Sequence, residues 1–167
     1  MADFVRTNMD RILDVTLTMD TAGAYAQNDV LAATQEIVGA VPNGSSAILT
    51  SIRLVDYAKN NAALELWFMD SAAVIGTENA AENAADSISA AVLTVVDFAA
   101  TDYTSEANWS RATKNVSDDG MGVMLVPSQT PGTTRDTSLY IGAKITDATG
   151  KTYGAGDIRL KIGLMVG

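Results

Sequence analysis

Hydrophobic and polar residues alternate one for one from Asp157 to Val166, where Ile158, Leu160, Ile162, Leu164 and Val166 interleave with Asp157, Arg159, Lys161, Gly163 and Met165. Successive side chains on a β-strand point to opposite faces, so this segment is predicted to be a strand with one buried face. The same alternation runs through Asp14 to Asp20, with Val15, Leu17 and Met19 on one face, and through Leu139 to Thr146, with Leu139, Ile141, Ala143 and Ile145 inward. Further strands are predicted near Val30 to Val38, Ala47 to Asp56, Ala63 to Met69, Leu93 to Phe98, Ser110 to Asn115 and Gly122 to Pro127. Turn-forming residues separate them. Asn43-Gly44 suits the positive φ of a tight hairpin, and Asp118-Asp119-Gly120 joins the strands around Lys114 and Val123. Pro127, Pro131 and Gly132 mark a loop before the penultimate strand, and Gly154-Ala155-Gly156 reads as a hairpin loop.

One segment departs from this pattern. Ala81, Ala84, Ala85 and Ile88 fall at helical spacing within Asn79 to Ala91, and alanine is the best helix former, so a short helix is expected there. About nine strands and one short helix predict an all-β fold: an antiparallel two-sheet sandwich, jelly-roll-like, with an up-and-down barrel as second choice. A chain of 167 residues fits a single domain, one able to bury roughly 70% of the surface that its unfolded form exposes. Residues 1–10 lack alternation and are expected to form an N-terminal arm, with residues 11–167 as one β-sandwich domain.

Composition narrows the chemistry. The chain has no histidine and no cysteine, which removes Ser-His-Asp and Cys-His catalysis and soft-metal centres. Carboxylate chemistry, Ser-Lys dyads and hard-metal sites remain. Asp97, Asp102 and Glu106 are close in sequence, but a glycosidase needs two carboxylates facing each other across a cleft, and scattered loop acids are the plainer reading. Asp118-Asp119-Gly120 lacks the spacing of a calcium loop, and the phosphate-cradling glycine pattern is absent. No enzymatic activity, metal or cofactor is expected. The net charge of −9 serves solubility, or else complements a basic partner. The basic residues are scattered along the chain without a stripe, so neither nucleic acid nor an anionic membrane is an expected partner. The opening Met1 to Thr7 lacks the apolar core of a secretory signal, which predicts synthesis in the cytoplasm. The sequons at Asn43, Asn108 and Asn115 are then incidental.

Aromatic residues are only 6% of the chain, so each one invites a question about contact. Trp67 takes the outward phase of its strand, where it is either covered by another segment or exposed as a contact. Tyr25, Tyr103, Trp109 and Tyr153 fall in predicted loops, where they either anchor a partner or pack over the edge of the core. With Phe4 and Arg6 of the arm, these are the candidate protein-interface residues.

The run Val15-Thr16-Leu17-Thr18-Met19-Asp20, followed by Ala24-Tyr25, Asp29-Val30-Leu31 and Leu64-Glu65-Leu66-Trp67-Phe68-Met69-Asp70, resembles capsid cement or decoration proteins of tailed bacteriophages. Gly76-Thr77-Glu78-Asn79, Ser138-Leu139-Tyr140-Ile141 and the closing Ile158-Arg159-Leu160-Lys161-Ile162-Gly163 extend the resemblance over nearly the whole chain. It implies a jelly-roll body bound to the exterior of the major capsid protein shell, a virion location, assembly as a homo-oligomer (dimer or trimer), and no catalytic or metal residues. Asn28 stands where such proteins often carry glycine before the Asp-Val-Leu step, and asparagine tolerates the same left-handed turn. The alternative is a carbohydrate-binding or adhesion sandwich of a phage tail or cell surface. A carboxylate hydrolase ranks third.

Overall fold

The computed structural model describes residues 9–21, 23–42, 45–129, 136–147 and 150–167. Phe4 and Arg6, most of the expected arm, the Asn43-Gly44 turn and the Pro131-Gly132 loop lie outside the described residues. The strands are β1 (Met9–Thr16), β2 (Val30–Ile37), β3 (Ala47–Asp56), β4 (Leu64–Met69), β5 (Val92–Phe98), β6 (Thr104–Ser105), β7 (Ser110–Asn115), β8 (Met124–Leu125), β9 (Leu139–Ile145) and β10 (Ile158–Val166). They form two antiparallel sheets. The first runs β1-β10-β3-β7-β6 with β8 beside β3, and the second runs β2-β9-β4-β5. With the two-residue strands β6 and β8 set aside, the chain order threads the two sheets as a jelly roll does, first and last strands side by side.

The alternating positions explain why the sheets face each other. Ile52 and Leu54 of β3 and Ile158, Leu160, Ile162 and Leu164 of β10 meet Leu64, Leu66 and Phe68 of β4 and Ile141, Ala143 and Ile145 of β9 in one buried cluster. Each of these side chains larger than alanine contributes about 1.5–3 kcal/mol by leaving water. A bulge interrupts the β10–β3 ladder, where Gly163 pairs Ser51 but Leu164 pairs Leu49, leaving Thr50 as the extra residue. Asn28 adopts φ 69°, the left-handed conformation expected of it at the entry to β2.

Two elements differ most from the sequence reading, beyond the shortening of the expected Gly122 to Pro127 strand to β8 and the unexpected β6. The first strand begins at Met9, paired with Val166, and ends at Thr16, whereas alternation places it over Asp14 to Asp20. Arg11 disguises the early part, because its guanidinium donates to Gly39 O (2.6 Å) and Ala40 O (3.2 Å) across the open edge of the sandwich. Leu17 and Met19 are buried beyond the end of the strand. The expected helix is the second difference: only a 3-10 turn at Asp86–Ala90 forms. Residues 71–91 instead make a strap held to the start of β2. Val30 N donates to Ala80 O (2.9 Å), Asn79 N to Val30 O (2.9 Å) and Glu82 N to Asn28 O (2.8 Å). Ile75 anchors the strap, buried with Val30 and Met69 in a second apolar cluster on the outer side of the second sheet. These long-range bonds and the burial of Ile75 outweigh the helix propensity of the alanines, of which Ala81 and Ala85 stay exposed.

Candidate functional site

Two of the candidate contact aromatics belong to the interior. Tyr25 is 0% exposed and Tyr153 3%, so of the two readings open to them both rings take the one that packs into the core. Their rings meet edge to face at 6.2 Å, because the loop before β2 bridges to the loop before β10 through Tyr25 and Lys151. The Tyr25 hydroxyl donates to Asp20 O (2.8 Å), and burial with nearby acids pushes its pKa up to about 12. Tyr103 is half-buried over the core and its hydroxyl donates to Ala62 O (2.9 Å). Trp67 does point outward from its strand, but it packs into the second apolar cluster with the strap. Its Nε1 donates to Glu65 Oε2 (2.9 Å), and the Lys144 ammonium lies 5.4 Å from its ring centroid. Trp109 remains half-buried at the rim of the first sheet, with the Arg53 guanidinium 5.7 Å from its ring centroid.

The deepest carboxylate is Asp56, the last residue of β3, with no exposed surface. Its Oδ2 accepts a hydrogen bond from Asn61 N (2.8 Å), and the loop bends around it through positive φ at Lys59 (57°) and Asn61 (50°). Burial holds its pKa above the ordinary carboxylate value, against the lowering effect of the backbone donors of residues 58–61. Tyr103 and Tyr153 lie near it, and their hydroxyls are pushed well above the usual phenol range by burial first and by the Asp56 charge second. Asp56 Oδ1 and the Oγ of Ser110, the residue opposite it on β7, lack hydrogen-bond partners among the described residues. This is a closed polar node within the core.

The acids singled out in the sequence are placed differently. Asp97 is exposed on β5. Asp102 pairs with Lys114 (2.7 Å) and Glu106 with Arg111 (3.5 Å). Burial alone would raise the Asp102 carboxyl, but the Lys114 hydrogen bond and charge outweigh it and hold it below the ordinary range. A glycosidase acid has the opposite perturbation.

Two surface features bear on contact with other molecules. At the edge where β1 and β2 come near each other, Ile12 is 72% exposed and Val38 77%. A shallow depression between these two strands is spanned by Gln35, whose Nε2 donates to Thr16 O (3.0 Å) while its Oε1 accepts from Thr18 N (3.0 Å). The second feature is the outer face of the first sheet. Lys161 on β10 stands opposite Arg53 on β3, and Val55 lies between Arg159 of β10 and Arg111 of β7. The fold thus collects four of the eleven basic residues, scattered in sequence, onto three adjacent strands. Tyr57, absent from the sequence candidates, joins them at 46% exposure with the Arg159 guanidinium 5.4 Å from its ring centroid. Its position one residue past β3 carries no periodic signal, and the cross-strand register that assembles the face cannot be read from one strand at a time.

No protein-family model matches the chain, and no curated protein matches it.

Proposed function

We propose that this protein is a non-enzymatic virion structural protein, a capsid cement or decoration protein that binds the outer surface of a tailed phage's major capsid protein shell and stabilises it. The observation that carries this reading is the jelly-roll sandwich itself, which encloses its deepest carboxylate and two of its tyrosines while leaving apolar and charged side chains on edges and faces. Such a body offers surfaces for contact. Many copies on a symmetric shell convert modest contacts into strong attachment. Ile12 on β1 and Val38 just past β2 lie exposed at one edge of the sandwich, and this apolar edge is a candidate contact. Self-association as a dimer or trimer belongs to the same reading, since a unit placed on a local symmetry axis must match that axis. The saccharide-binding alternative has less support, because the rings of Trp109 and Tyr57 each carry a guanidinium where a sugar would stack.

Cosedimentation of the purified protein with empty shells assembled from the capsid protein of the same genome tests the proposal. Saturation at a fixed number of copies per shell, with a raised shell melting temperature, is expected. Shells that sediment without it, or melt unchanged in its presence, contradict it.

A further inference from the structure

The outer face of the first sheet carries an arrangement that works against its own stability. Lys161 and Arg53 are directly opposite each other on neighbouring antiparallel strands, a position where like charges repel. Arg159 and Arg111 lie diagonally on either side of Arg53. At about 4.8 Å between strands and 3.4 Å per residue, these four cations occupy an area of about 10 by 7 Å. Two of them are partly neutralised: Lys161 by Asp14 (2.8 Å) and Arg111 by Glu106 (3.5 Å). The other two, Arg53 and Arg159, are exposed and have no carboxylate in ion-pair contact among the described residues. Each is packed on an aromatic ring, Arg53 on Trp109 and Arg159 on Tyr57. Stacking of this kind fixes a guanidinium plane and leaves its N–H edge free, which suits bidentate binding of a carboxylate.

We infer that this face, centred on Arg53 and Arg159 and framed by Trp109 and Tyr57, is a docking surface for a carboxylate-bearing patch on another protein. Charge complementarity selects that occupant. The chain as a whole carries −9, and exposed Asp10 and Asp14 on β1 border the face on one side with Glu106 on the other. A long polyanion such as nucleic acid would run off the basic area onto acids within a few ångströms. A compact acidic patch would not. The existing pairs with Asp14 and Glu106 show the same chemistry, carboxylate on cation, already used at the rim of the face. The inference stands apart from the capsid reading, since the face would select an acidic protein in any setting.

The test uses a labelled oligoglutamate peptide as the carboxylate probe, titrated with the full chain and followed by fluorescence anisotropy at low salt. Elsewhere the acidic surface repels this peptide, so binding reports the basic face. The wild type should bind, with affinity falling as salt is added. The double variant R53Q/R159Q should bind about tenfold or more weakly. The equal-charge control K114Q/K151Q, with both changes off this face, should bind like the wild type. R53K/R159K, which keeps the charge and loses the planar fork, should fall between. Because Arg53 and Arg159 are exposed, unchanged melting temperatures are expected for R53Q/R159Q and R53K/R159K, and they separate lost binding from lost fold. Absence of peptide binding, or equal weakening by the two glutamine pairs, overturns the inference. Binding of inorganic polyphosphate but not oligoglutamate also overturns it. Self-association of the wild type that R53Q/R159Q abolishes overturns it too, by giving the face to a second copy.

Discussion

At Asp56, desolvation and backbone hydrogen bonding pull the carboxyl in opposite directions, and desolvation wins. The raised folded-state pKa means that the folded chain holds this proton more tightly than the unfolded chain does. Its contribution to stability is therefore fully present below the unfolded carboxylate value, about 3.9, and is lost as pH rises through the folded value. Asp56→Asn removes the titration while keeping an oxygen for Asn61 N. Melting curves of the two proteins should move in the variant's favour as pH rises from acid to neutral, and parallel pH profiles would contradict the assignment. Gly120 supplies a second residue-scale prediction. Its φ is +75°, and a Cβ there would strike the carbonyl oxygen of Val95, a backbone atom unable to yield. Gly120→Ala should lower the unfolding free energy by about 2 kcal/mol or more in a denaturant titration. The glycine was legible as a turn residue in Asp118-Asp119-Gly120, but its close approach to β5 was not, because that is a contact between sheets.

Strands whose buried face is almost wholly apolar were the elements most legible in one dimension. β10, β9 and β3 fall almost where alternation puts them. β1 was shifted because Arg11 holds an inward phase for the sake of two carbonyls, a purpose that only the neighbouring turn reveals. The strap was misread for a related reason: alanines at helical spacing are equally compatible with an extended segment pinned by its backbone. Its fastening is specific. Ile75 Cδ1 lies where a side chain on Gly142 would be, and Thr34 Oγ1 donates to Ala73 O (2.5 Å). Ile75→Ala should cost about 2–4 kcal/mol and should speed hydrogen exchange at the amides of Asn79 and Glu82. Unchanged exchange would mean that the strap is held by its hydrogen bonds alone. For the N-terminal segment, removal of residues 1–8 leaves every β1 pair intact, so the melting temperature should hold while shell binding weakens. Unfolding of that truncated chain would place the segment in the core instead.

Charge organises the whole molecule unevenly. Residues 60–110 contain eight acids and no lysine or arginine, while the outer face of the first sheet gathers Arg53, Arg111, Arg159 and Lys161. The sequence displayed the acidity and even the outward phase of Arg159 and Lys161, but not their meeting with strands more than forty residues away. The candidate aromatics were legible in the same partial way: phase put Trp67 outward, whereas the strap that covers it and the core position of Tyr25 and Tyr153 depend on how loops cross. A body of this kind, on the proposed reading, acts through its skin on a symmetric shell. The most direct measurement is a cryo-electron microscopy reconstruction of shells from the same genome, prepared with and without this protein. Discrete added density on the shell exterior, fitted by this sandwich at regular lattice positions, is expected. Shells of identical appearance in the two preparations would contradict the capsid reading.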